Sequence, residues 1–225
     1  MSLGRNNKRA GFTLTELLVV IGIMGILIYA AGPMFNGLTR SSGMKGATMQ
    51  LRTTISLARQ WAITHRAKTY IVFPTDPTLE SDKGTGVTSR IKRSYNVYTT
   101  QDGFIKDWTY LPNGVFFDDR QTGDTGNGPQ NVITTAQPSP PASVWNTALV
   151  SYPPGASKKV PMYCIAFNPD GTTTGMGDIW RQPQVYFAEG YRDNDSATTV
   201  KYQTGKMVNI LQVGSMTGLI KTFEK

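Results

Sequence analysis

Glu16 is the first residue of this chain whose type and position call for a chemical explanation. It stands four residues after Phe12 at the start of a long apolar run. An isolated carboxylate costs on the order of 3 kcal/mol to bring into a bilayer unless a cation meets it. Other candidates for chemistry are few. His65 is the single histidine, so a two-histidine zinc site cannot be built, and its place near the end of a predicted helix reads as a surface residue at a helix end. Asp118 and Asp119 fall at a predicted strand end and read as a solvated turn rather than an acid and base pair. The run Asp193-Asn194-Asp195 offers oxygens to calcium but lacks the spaced acidic loop and closing glutamate of an EF-hand, so it reads as a polar turn. Neither a phosphate-cradling glycine loop nor a dinucleotide fingerprint occurs. No catalytic residue, cofactor or metal is therefore assigned. A membrane-tethered enzyme using residues of the long loops is the remaining enzymatic alternative.

Residues 1–11 are short, polar and basic, and residues 17–35 read LLVVIGIMGILIYAAGPMF without a charged side chain. As a helix, residues 12–35 would extend about 36 Å, enough to cross a hydrocarbon core of about 30 Å. The basic residues before the run stay on the cytoplasmic side, which places the remainder of the chain across the membrane. Two plainer readings compete. A cleaved secretory signal would use the small residues around Ala30 to Gly32, and a simple anchor would leave Glu16 without a reason. Gly32 and Pro33 should kink the helix, because proline removes a helical hydrogen bond and clashes with the preceding turn.

These residues resemble the cleavage and methylation motif of the type IV pilin superfamily, which includes the pseudopilins of type II secretion. The match runs from Gly11 and Phe12 through Thr13, Leu14, Thr15 and Glu16 into the apolar run. The resemblance implies that a prepilin peptidase cuts between Gly11 and Phe12 and that Phe12 becomes N-methylated. It also implies that Phe12 and Glu16 act in assembly, the glutamate meeting the terminal amine of an adjacent subunit. Further implied partners are other pilins or pseudopilins, an inner-membrane assembly platform and a secreted substrate.

Beyond the anchor, Met44, Ala47, Leu51, Ile55, Ala58 and Ala62 form one helical stripe suited to lie on a sheet. Beside it Lys45, Arg52, Arg59 and Arg66 recur every seventh residue as a basic ridge, read as a solvated edge or as a contact for an acidic neighbouring subunit, with nucleic acid less favoured. From residue 67 onward, short β-rich runs at 69–73, 94–100, 115–118, 162–167, 184–188, 207–213 and 219–223 alternate with turn clusters. Asn168-Pro169-Asp170-Gly171 is a turn tetrad, and Ser215-Met216-Thr217-Gly218 should join the last two strands as a hairpin. Residues 74–93 and 120–161 read as long loops.

The head resembles the H-type pseudopilins and FimT-like minor pilins. Ala58, Arg59 and Ala62 give the helix pattern Ala-Arg-x-x-Ala, and the turn from Phe167 to Gly171 and Thr217-Gly218 belong to the same likeness, from which 120–161 departs. The expected fold class is α+β and pilin-like: a leader over 1–11, a long helix over 12–66 with its membrane anchor at about 12–35, and an antiparallel, sandwich-like β head over 67–225. Its expected place is the bacterial inner membrane, single-pass, with the head on the extracytoplasmic side. The expected role is a structural subunit of a secretion pseudopilus at or near the tip; the alternative is a minor type IV pilin for DNA uptake, adhesion or pilus assembly. The formal net charge of +8 falls to +5 without Arg5, Lys8 and Arg9 of the leader, too little by itself to mark a nucleic-acid binder. The single cysteine, Cys164, has no partner for an intramolecular disulfide and reads as a buried strand residue.

Overall fold

The computed structural model describes residues 13–74, 90–120, 130–133, 147–152, 159–174, 182–192, 200–205 and 208–224, and of residues 30–42 it describes the backbone element alone. The chain divides into two compact units, 1–41 and 42–225. Both hold part of one helix, α1 (Leu14–His65).

In the second unit α1 is amphipathic as its stripe requires: Met44 is 7% exposed, and Ala47, Leu51, Ile55, Ala58 and Ala62 are fully buried. The helix stops one residue earlier than the predicted boundary. Arg66 takes a left-handed conformation (φ 50°) and the Ala67 N–H returns to the Ala62 carbonyl at 3.3 Å, a Schellman closure without the usual glycine.

Two sheets cover that face. The first runs in the order β3 (Gly103–Phe104), β2 (Ser94–Thr99), β1 (Thr69–Phe73), β8 (Lys159–Phe167), β7 (Thr147–Ser151), with β4 (Thr109–Tyr110) on β2 and β9 (Thr173–Thr174) on β8. The second runs β11 (Val200–Tyr202), β10 (Pro183–Arg192), β12 (Asn209–Val213), β13 (Ile220–Glu224), with β5 (Val115–Phe117) and β6 (Gln130–Asn131) also on β10. Pairing is antiparallel except between β6 and β10, which run parallel. One core joins the stripe of α1 to Ile71, Phe73, Ile165 and Phe167 of the first sheet and Val185, Phe187, Leu211 and Val213 of the second. Phe117 lies at its centre, with ring centroids 5.1 Å from Phe73 and 5.5 Å from Phe187.

The first sheet is buried on its other face as well. Val72, Met162, Cys164, Ala166 and Val150 form a second cluster there. Two-sided burial explains why β1 and β8 read as near-continuous apolar runs rather than alternating ones.

The region read as a loop over 120–161 is corrected. It contains β6, β7 and the first residues of β8, and β7 pairs with β8 from Thr147 opposite Tyr163 to Ser151 opposite Lys159. Short strands with mixed composition take their conformation from the neighbour they pair with, a signal absent from local sequence. Of the loop read over 74–93, residues 75–89 lie outside the described residues.

Candidate functional site

At the N-terminus the structure gives Glu16 partners within its own turn. Thr13 precedes the first helical residue, and both its N–H (3.0 Å) and its hydroxyl (2.9 Å) donate to Glu16 Oε2. The Glu16 N–H returns to Thr13 Oγ1 at 3.3 Å. This is a capping box, in which a threonine and a glutamate three residues on satisfy each other's orphan groups. The pairing leaves Glu16 on the outside of the helix, at the head of an apolar surface. Leu17, Leu18, Ile21, Met24 and Leu27 are all more than half exposed, and Tyr29 is 88% exposed. Among the described residues no helix is long and apolar enough to cross a membrane. Gly11 and Phe12 lie outside the described residues, as do the surroundings of Gly32 and Pro33, where the kink is expected, and the run Asp193-Asn194-Asp195.

The basic ridge is not uniform. Lys45, Arg52 and Arg66 are exposed, but Arg59 is drawn into the head, where its Nε–H donates to the Gly171 carbonyl at 3.2 Å. Gly171 (φ 81°) and Gly218 (φ 62°) both need a left-handed backbone, and both press on this part of α1. A Cβ on Gly218 would come within 2.7 Å of Arg59 Cδ and Nε, and one on Gly171 within 2.9 Å of Ile63 Cδ1. The helix motif, the Asn168 to Gly171 turn and the Thr217-Gly218 hairpin are thus three pieces of sequence that meet at one guanidinium. Sequence spacing placed each piece in its own element but carried no sign of the convergence.

Asp118 and Asp119 are not a solvated turn. Asp118 is fully buried and grips Arg120 with both oxygens, at 2.9 Å to Nε and 2.8 Å to Nη2. Asp119, 6% exposed, pairs with Lys92 Nζ at 2.7 Å and accepts the Tyr202 hydroxyl at 3.0 Å. Tyr202 also donates to the Phe117 carbonyl and stacks under the Arg120 guanidinium, 4.1 Å from its ring centroid. Both carboxylates are held by cations and ties between β5 and β11, which suits them to fix strands rather than to move protons. Arg120, two residues on, was the available signal.

His65 stands exposed at the end of α1, its ring stacked on Trp61 at 4.0 Å and its Nδ1 3.2 Å from the Trp61 carbonyl. Cys164 is 1% exposed in β8, and burial pushes its thiol up to about 12. No group of three metal-ligating side chains occurs among the described residues.

Comparison with known families agrees with the two ends of this arrangement. Residues 6–31 match the prokaryotic N-terminal methylation motif, and residues 47–181, more than half of the chain, match the type II transport protein GspH. No curated protein and no solved structure matches the chain. The GspH match begins in the buried stripe of α1, passes through the first sheet and takes in the Asn168 to Gly171 turn that meets Arg59. On that evidence the chain belongs to the type II transport protein GspH family, as a pilin-like subunit of the GspH and FimT type.

Proposed function

We propose that this chain is a non-enzymatic minor subunit of a type II secretion pseudopilus, anchored in the bacterial inner membrane by α1 and incorporated at or near the filament tip. The observation that carries the reading is the presence in one chain of an N-terminal methylation motif and a GspH head. A prepilin peptidase cuts after Gly11 and the new amine of Phe12 is methylated. The apolar surface of residues 14–29 packs among the helices of other pilins or pseudopilins, and Glu16 meets the positive terminus of a neighbour, which offsets the cost of carrying a carboxylate into the membrane. Thr13 holds that carboxylate until the neighbour arrives. Lys45, Arg52 and Arg66 remain as cations for a neighbouring subunit.

The test uses the chain in its native host. Mass spectrometry is expected to find a mature protein beginning at N-methylated Phe12; an intact Met1 terminus or one near Gly32 contradicts the reading. Glu16→Ala is expected to be inserted and cleaved but to co-purify poorly with partner subunits, whereas Glu16→Asp retains part of the incorporation. Normal incorporation of Glu16→Ala would show that the pairing is dispensable.

A further inference from the structure

The second sheet ends in an unpaired strand. β13 pairs with β12 from Val213 opposite Ile220 to Asn209 opposite Glu224, and among the described residues no strand lies on its other side. The Gly214 N–H to Leu219 carbonyl bond, 2.8 Å, closes the hairpin and makes that pair a hydrogen-bonded one. Hydrogen-bonded and non-hydrogen-bonded pairs alternate in an antiparallel ladder, so the main-chain groups of Ile220, Thr222 and Glu224 point away from β12. Residues 221–224 are all exposed. An open edge of this kind is a template for a further strand.

A groove runs between that edge and α1. Its larger part, about 740 Å³, lies between Lys45, Met49 and Arg52 of the helix and Thr222, Phe223 and Glu224 of β13. A smaller part, about 310 Å³, continues past Arg52 to Arg59, Ile63 and Leu219. Apolar side chains are available along it, with Met49 72%, Leu219 63%, Ile63 46% and Phe223 45% exposed. The charge is one-sided: Lys45 and Arg52 stand along the helix rim, with Arg59 tied to the Gly171 carbonyl beyond them, and among the described lining residues Glu224 is the one carboxylate. Among the described residues the ion pairs are those of Lys92 with Asp119 and Arg120 with Asp118, so the rim cations have no acidic partner. A second copy docked through the same face would set the same cations against each other. A segment bearing Glu or Asp would not.

We propose that the open edge of β13 and the basic face of α1 beside it accept an extended, acidic segment of a partner protein as an added strand. Main-chain bonds to Ile220, Thr222 and Glu224 supply affinity that does not depend on sequence. Lys45 and Arg52 select carboxylates, and Met49, Phe223 and Leu219 take the alternate apolar side chains. Lys45 and Arg52 are shared with the proposed subunit contact, but the site uses neither Phe12 nor Glu16, so peptide binding to the purified chain is read separately from cleavage and from Glu16-dependent incorporation.

The test uses the purified full chain in detergent and three fluorescent probes: a ten-residue peptide alternating Glu with Val, the same peptide with Lys for Glu, and a short duplex oligonucleotide. The acidic peptide is expected to bind saturably and to slow amide exchange at Thr222 and Glu224. Thr222→Pro removes an outward N–H without touching the ladder to β12, and is expected to weaken binding by about tenfold or more. Arg52→Glu, an exposed change on the helix, is expected to weaken the acidic peptide by a similar factor and to improve the lysine peptide. Absence of acidic-peptide binding, binding insensitive to both variants, preference for the duplex, or self-association that competes with the peptide each overturns the proposal.

Discussion

At the scale of single residues, the side chains that drew attention for chemistry divide by whether their charge is answered within the chain. Asp118, Asp119 and Arg59 are answered, by Arg120, by Lys92 and by the Gly171 carbonyl, and they serve the fold. Among the described residues Glu16 is answered by Thr13, through hydrogen bonds from neutral groups that leave its charge without a cation. Cys164 belongs with the structural set. Its thiol is buried between β1 and β7 neighbours in the second cluster, and a thiol pushed up to about 12 supplies almost no thiolate at neutral pH. Alkylation at pH 8 is therefore expected to be negligible in the folded chain and rapid in denaturant, and Cys164→Ala is expected to fold. Fast labelling of the native protein, read by mass shift, would contradict the packing described for β8.

The elements depend on one another through α1. Leu51 is fully buried under both sheets, so Leu51→Ala is expected to destabilise the head by about 2–5 kcal/mol. Met49, two residues away and 72% exposed, is expected to tolerate alanine within about 0.5 kcal/mol. Equal urea midpoints for the two variants would refute the assigned face of the helix. A local test of the turn junction is Gly218→Ala. It adds a Cβ at φ 62° and within 2.7 Å of Arg59, and strain of this kind costs on the order of 1–3 kcal/mol. Adding Arg59→Ala removes the atoms the new Cβ would strike, so the double variant is expected to lose less stability than the two single losses combined. Strict additivity would place the two residues apart.

For the whole molecule, the buried tyrosines set an alkaline limit. Burial pushes Tyr95 up to about 12 from an ordinary value of about 10, and burial beside Asp119 pushes Tyr202 up as well. A group whose folded value lies above its unfolded one gives stability that is present below the unfolded value and lost as pH rises through the folded one. Tyr95 alone therefore removes about 2–3 kcal/mol between about pH 10 and pH 12. Lys106, pushed down by burial and lying 5.6 Å over the Tyr95 ring, acts in the opposite sense, but its partial exposure makes its part smaller. Urea midpoints of the full chain in detergent are expected to hold level from pH 7 to about 9 and to fall above about 10. A level midpoint to pH 11.5 would show that these hydroxyls are not buried as described.

The amino-acid sequence determined by itself the features that rest on local periodicity and short motifs. These are the capping turn at Thr13 and Glu16, the buried stripe from Met44 to Ala62, β1 at its observed bounds, and the turns at Asn168 to Gly171 and Ser215 to Gly218. Each is set by contacts within a turn or a strand, where spacing along the chain is also spacing in space. The tertiary structure alone decided which charges are free. Arg52 and Arg59 are the same residue type seven positions apart on one ridge, yet one is exposed and the other is claimed by turns more than a hundred residues away. It also decided that β6 and β7 exist and that β13 has an edge left open among the described residues, because strand pairing is chosen by neighbours distant in sequence and no local pattern encodes which edge is left without one.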